Sequence, residues 1–159
     1  MSKTLVAYFS ASGVTAKLAK TVASAVDGDL YEIQPQEPYS SADLDWTDAN
    51  SRSSIEMKDK TFRPAVAGKV DDMGQYDVVY IGFPIWWYVA PTIFNTFLEQ
   101  YDMSGKTVIP FATSGGSGMG NTNAELAPSC PGAVLKEGKR FSGNVGEKEI
   151  KKWVENLGV

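Results

Sequence analysis

The chain reads as an α/β three-layer sandwich, a parallel sheet with helices on both faces, and three observations predict it. Short runs rich in strand formers alternate with segments whose apolar residues recur at helical spacing. One run, residues 77–83 (DVVYIGF), is apolar without interruption after its first residue, as expected of a central parallel strand buried on both faces. The loops of unusual composition all follow strands, and ligands of open parallel sheets bind outside the carboxyl ends of the strands.

The elements follow in order. Residues 3–9 (KTLVAYF) form a strand that runs into the small, polar segment SASGV. From Val14 the apolar positions Val14, Leu18, Val22 and Val26 keep helical spacing, and Asp27-Gly28 is the stop signal, with the glycine expected to take the left-handed conformation. Residues 29–33 alternate as a second strand, after which Pro35 and Pro38 open a long polar section. Within 40–72 the spacing predicts a loop and an irregular helix around 47–59, bounded by Pro64. After the strand at 77–83, a helix from Thr92 to Tyr101 carries Ile93, Phe94, Phe97, Leu98 and Tyr101 on one face. Residues 106–113 make another strand, 122–127 a short helix, and GAVLKEGKRFSG a short final strand broken by a turn at Glu137-Gly138. The last helix, 146–157, sets Ile150, Trp153, Val154 and Leu157 at helical spacing. No internal repeat or linker divides the chain, so 1–159 reads as one domain, and 43% hydrophobic residues suffice for a sizeable core.

Composition removes several chemistries. The chain has no histidine, which excludes imidazole bases, Ser-His-Asp triads and most zinc sites, so the chemistry is expected to reside in a bound cofactor. Cys130 is the single cysteine and excludes an intramolecular disulfide; beside Pro131 it reads as a small packing residue. The net charge of −4 and the lack of a basic run longer than Lys151-Lys152 argue against nucleic acid. Twelve of the nineteen acidic residues fall between Asp27 and Asp77, an anionic region able to steer a positively patched partner. The most apolar stretch, Val78 to Pro91, is broken by Gly82 and Pro84, and no signal peptide is apparent; a cytoplasmic protein that does not enter the membrane is expected.

Three loops carry the functional signal. The first, Ser10-Ala11-Ser12-Gly13-Val14-Thr15, sets three hydroxyl side chains and a glycine against a helix start. Unpaired amides and the positive end of the helix dipole favour an anion there. One hydroxyl would cap an ordinary helix, and three within six residues exceed that need. The loop has neither the lysine of a triphosphate loop nor GxGxxG, so a phosphate monoester fits it best. The second loop, Pro84-Ile85-Trp86-Trp87-Tyr88, places adjacent tryptophans at a strand end; they cannot both enter one core face, so one is available to cover a flat apolar ligand. In the third, Thr113 to Gly120, four glycines let the backbone approach a ligand and offer amides to a polar ring edge.

Through YFSASGVTAKLA, and then GFPIWWYVAP and FATSGGSGMG, the chain resembles the flavodoxins along essentially its whole length, in particular compact members with a Trp-Trp pair after the third strand. The resemblance implies a five-stranded parallel sheet of order 2-1-3-4-5 and one bound FMN. It implies that Ser10, Ser12, Gly13, Val14 and Thr15 hold the phosphate and that Pro84, Ile85, Trp86 and Trp87 line the isoalloxazine. Ser114, Gly115, Gly116 and Ser117 would meet the polar edge of the ring. Many electron-transfer flavodoxins carry a glycine in the loop after the third strand, whose peptide flips to serve the one-electron-reduced flavin. Residues 84–88 contain none, which points toward two-electron chemistry.

The implied function is electron transfer with redox partner proteins or small-molecule donors and acceptors, without a catalytic side chain. An NAD(P)H-dependent FMN quinone or nitro reductase is the alternative. A receiver-type signalling domain would need carboxylates where this chain has Ser10 and Pro84. In the polar section Trp46 or Arg52 could border the flavin, and a structural role is the expectation for both.

Overall fold

In a computed structural model the described residues are 3–10, 13–37, 39–45, 47–59, 61–70, 72–85, 90–113, 122–141 and 145–157. The elements are β1 (Lys3–Tyr8), α1 (Val14–Val26), β2 (Asp29–Glu32), β3 (Gln34–Pro35), α2 (Arg52–Lys58), β4 (Val66–Ala67) and β5 (Tyr76–Pro84). They continue with α3 (Ile93–Glu99), β6 (Thr107–Thr113), α4 (Thr122–Leu126), β7 (Val134–Leu135), β8 (Lys139–Phe141) and α5 (Glu147–Leu157). The main sheet is parallel in the order β2-β1-β5-β6-β7, with β8 also on β6, which is the expected 2-1-3-4-5 order of principal strands.

The period-two alternation of the central strands divides the core into two layers. Val6, Tyr80, Ile109 and Phe111 pack on one face against Leu18 and Val22 of α1 and Ile150 and Trp153 of α5. Leu5, Ala7, Val79, Ile81, Phe83 and Val108 pack on the other against Ile93, Phe94, Phe97 and Leu98 of α3. Burial of a side chain such as Phe111, with 0% exposure, contributes about 2–3 kcal/mol.

Two features of the backbone differ from the expectation. The left-handed residue that stops α1 is Asp27, at φ 52°, and not Gly28. A short polar side chain tolerates that conformation. Gly28 serves close approach instead, since a Cβ there would lie 3.1 Å from the Thr4 carbonyl oxygen. The polar section is also better organised than its sequence suggests. Strands β3 and β4 pair antiparallel at its base, and the helix within it covers only 52–58, capped by the Ser51 side chain, which accepts from Ser54 N.

Candidate functional site

The carboxyl ends of β1, β5 and β6 lie side by side, with Tyr8 opposite Gly82, Gly82 opposite Phe111, and Pro84 opposite Thr113. Backbone bonds continue the ladder just past the strands: Phe9 N donates to Gly82 O at 2.9 Å, and Ile85 N to Thr113 O at 2.9 Å. The first and second loops therefore leave the sheet from fixed points at one edge.

At the first loop the local geometry suits an anion. Gly13 takes the N-cap position of α1 at φ 90° and ψ −14°, and having no side chain it makes no capping bond itself. Lys17 N donates to Gly13 O at 3.1 Å and starts the helical ladder, and among the described residues no side chain accepts from the amides of the first turn. A Cβ on Gly13 would meet nothing within 4 Å, so the bend opens to free space on that side. The half-exposed Ser10 uses its Oγ to accept from Gly13 N at 2.9 Å, which holds the bend and leaves its own proton available to an acceptor. Val14 is 43% exposed at the mouth of the bend. Neutral donors and the helix dipole thus converge on open space, which fits a phosphate monoester.

Thr15 is placed differently from its neighbours. It is buried, and its hydroxyl lies 2.8 Å from that of Thr113 at the end of β6. The sequence reading set Thr113 at the head of the third loop but gave it no role of its own. The signal was available, a hydroxyl-bearing residue closing an apolar strand just before a glycine-rich loop, but its partner 98 positions away was not visible.

Pro84 and Ile85 are half-buried at the same edge, and Ile85 packs against the α3-side core. The structure brings Ser10, Gly13, Val14, Thr15, Pro84 and Ile85 to one edge of the sheet. Ser12, Trp86, Trp87, Ser114, Gly115, Gly116 and Ser117 lie outside the described residues.

Beside the bend, at the ends of β1 and β2, is a cavity of about 360 Å³ lined by Phe9, Ser10, Glu32, Ile33, Gln34, Pro35 and Tyr39. The Glu32 carboxylate accepts from Tyr8 Oη at 3.3 Å and Gln34 Nε2 at 2.9 Å. Burial, and then the charge of Glu32, raise the Tyr8 phenol above its usual pKa. The cavity wall is braced from behind: Tyr39 donates to Glu56, which also receives Arg52 Nε at 2.8 Å, while the Arg52 guanidinium sits 3.9 Å over the Tyr39 ring. Arg52 also donates to the Glu37 carbonyl at 2.7 Å, and Trp46 lies outside the described residues. Cys130 is buried against the Leu126 carbonyl, a packing residue whose thiol burial pushes up. Among the described residues no group of three or more carboxylates, cysteines or histidines is placed to hold a metal, and no helix is long and apolar enough to cross a membrane.

A parallel sheet in this order, with a helix start directly after its first strand, defines a doubly wound protein, a class whose ligands bind outside the carboxyl ends of the strands. The flavodoxin family model matches residues 3–157, and the chain belongs to that family. A protein of Bacteroides eggerthii DSM 20697 is 52% identical with a TM-score of 0.94, the match covering 100% of this chain and 99% of that one. A protein of Bacteroides uniformis ATCC 8492 is 52% identical with a TM-score of 0.91, over 97% of this chain and 98% of that one. The flavoprotein of Lactobacillus acidophilus NCFM, crystallised in complex with FMN, is 25% identical with a TM-score of 0.70, over 97% and 99% of the two chains. No curated protein matches the chain.

Proposed function

We propose that this protein binds one FMN at the carboxyl edge of its sheet and carries electrons between redox partners in the cytoplasm. The observation that carries the reading is the start of α1, where a left-handed Gly13 faces open space and, among the described residues, no side chain caps the helix. The FMN complex of the Lactobacillus relative supports it. In this reading Ser10, Ser12, Gly13, Val14 and Thr15 hold the phosphate. Pro84, Ile85, Trp86 and Trp87 flank one face of the ring, and Ser114, Gly115, Gly116 and Ser117 meet its polar edge.

FMN supplies the redox chemistry when bound. The polypeptide binds the phosphate with neutral donors, orients the ring and sets the local charge. Its partners are redox proteins or small-molecule donors and acceptors, and the acidic residues between Asp27 and Asp77 favour a positively patched protein surface.

The test has two stages. The purified protein should be yellow, with the visible bands of bound flavin, and anaerobic NADPH alone should leave those bands unchanged. Rapid bleaching by NADPH without an added reductase would replace the carrier with an NAD(P)H-dependent quinone or nitro reductase. A colourless protein that took up no FMN would overturn both.

A further inference from the structure

Thr113 closes β6 and is 6% exposed, yet it meets all three loops of the site. Its hydroxyl lies 2.8 Å from that of Thr15, in the first turn of α1. Its carbonyl accepts from Ile85 N at 2.9 Å, at the root of the second loop, and Pro84 is its Cα partner on β5. Thr113 is itself the first residue of the third loop.

We propose that Thr113 is a positioning residue that sets the phosphate bend through Thr15 and so makes the site selective for a phosphorylated flavin over the bare one; this rests on the FMN reading above. The reasoning starts from proton counting. A hydroxyl has one proton to give and two lone pairs with which to accept. Between the paired threonines either oxygen can be the donor. A phosphate dianion only accepts, so it favours the arrangement in which Thr113 donates to Thr15 and frees the Thr15 proton for the phosphate side.

Burial makes the pair consequential. Thr15 is 2% and Thr113 6% exposed, so neither hydroxyl has bulk water as a substitute. Without Thr113 Oγ1, the Thr15 hydroxyl would turn to backbone groups of its own helix start, the groups that shape the bend. A valine at 113 would fill nearly the same volume and keep the backbone bond to Ile85, removing the hydroxyl alone.

The experiment measures the Kd of the apoprotein for FMN and for riboflavin, which lacks the phosphate, in the wild type, Thr113→Val and Thr113→Ser. The valine variant should lose roughly tenfold in FMN affinity, with riboflavin affinity kept within about twofold and the serine variant restoring FMN binding. Unchanged FMN affinity in the valine variant, or equal losses for the two flavins, would overturn the proposal. A double-mutant cycle with Thr15→Val is the second measurement: the double variant should bind FMN no worse than Thr15→Val, and additive losses would also overturn it. Should the valine variant not fold, Thr113→Ala enters the same comparisons and the same outcomes apply. A wild type that took up neither flavin would overturn the FMN reading itself.

Discussion

At the scale of single residues, Gly13 and Glu99 show how local chemistry becomes testable. Gly13 stands at φ 90° with free space where a Cβ would be, so an alanine there would meet a conformational penalty and no clash. Gly13→Ala should lower stability by about 1 kcal/mol in thermal unfolding and weaken FMN binding further, because the methyl would enter the space left for the phosphate. The Glu99 carboxylate is held below its ordinary pKa of 4.5, first by Arg63, whose Nε lies 3.0 Å away, and also by the Ser129 hydroxyl at 2.7 Å. A depressed folded pKa means stabilisation that is present above about 4.5 and lost as the pH falls through the lowered value. Glu99 is 41% exposed, so the contribution is only about 0.5 kcal/mol. The stability gap between the wild type and Glu99→Gln should be constant at neutral pH and close in acid; a gap that widened in acid would contradict the assignment.

At the scale of elements, close packing explains positions where sequence pattern is silent. Gly82 lies in the central strand β5, and a Cβ there would fall 2.2 Å from Cζ of Phe111, a ring with no exposure. Gly82→Ala should therefore cost about 2 kcal/mol by overpacking, read from denaturant midpoints, while the neighbouring exposed Asp77→Ala should cost far less. Pro110 inside β6 looks misplaced for a central strand. The carbonyls of Lys106 and Val108 accept from Val134 and Lys136, so the missing N–H of Pro110 faces the same side, in the gap between β7 and β8. The turn read at Glu137-Gly138 lies in that gap. Helix α1 was legible to the residue because an apolar stripe and a loop composition mark both its ends. Helix α2 was not. Ser53, Ser54 and Glu56 are its buried residues while Ile55 is 52% exposed, an inverted pattern that tertiary partners impose. Glu56, 3% exposed, anchors that helix through Arg52 and Tyr39, and Glu56→Ala should destabilise by about 1–3 kcal/mol by removing the acceptor of both bonds.

At the scale of the whole molecule, the alternation of strand and helix made the layers readable before any coordinate, because each central strand is apolar on both faces and each helix on one, while the sheet order came from the resemblance to the flavodoxins. The concentration of hydroxyl side chains before α1 was readable too, since composition alone places them there. What escaped is relational: the Thr15–Thr113 pair and the cavity beside Ser10 join residues distant in sequence, and no local pattern encodes such meetings. The charge distribution belongs to this scale as well. An acidic middle and a more basic stretch from Lys136 to Lys152 give the surface two signs, so the rate of electron transfer to a basic protein partner should fall as ionic strength rises.

The central claim is that a phosphoryl group is gripped by amides and neutral hydroxyls at the start of α1, with no cationic side chain in the bend. The most direct measurement is a crystal structure grown with excess FMN. The phosphate should lie against the backbone N–H groups that follow Gly13, within hydrogen-bond distance of the Ser10 hydroxyl. A bend left empty, or a phosphate bound elsewhere by lysine or arginine side chains, would contradict the account.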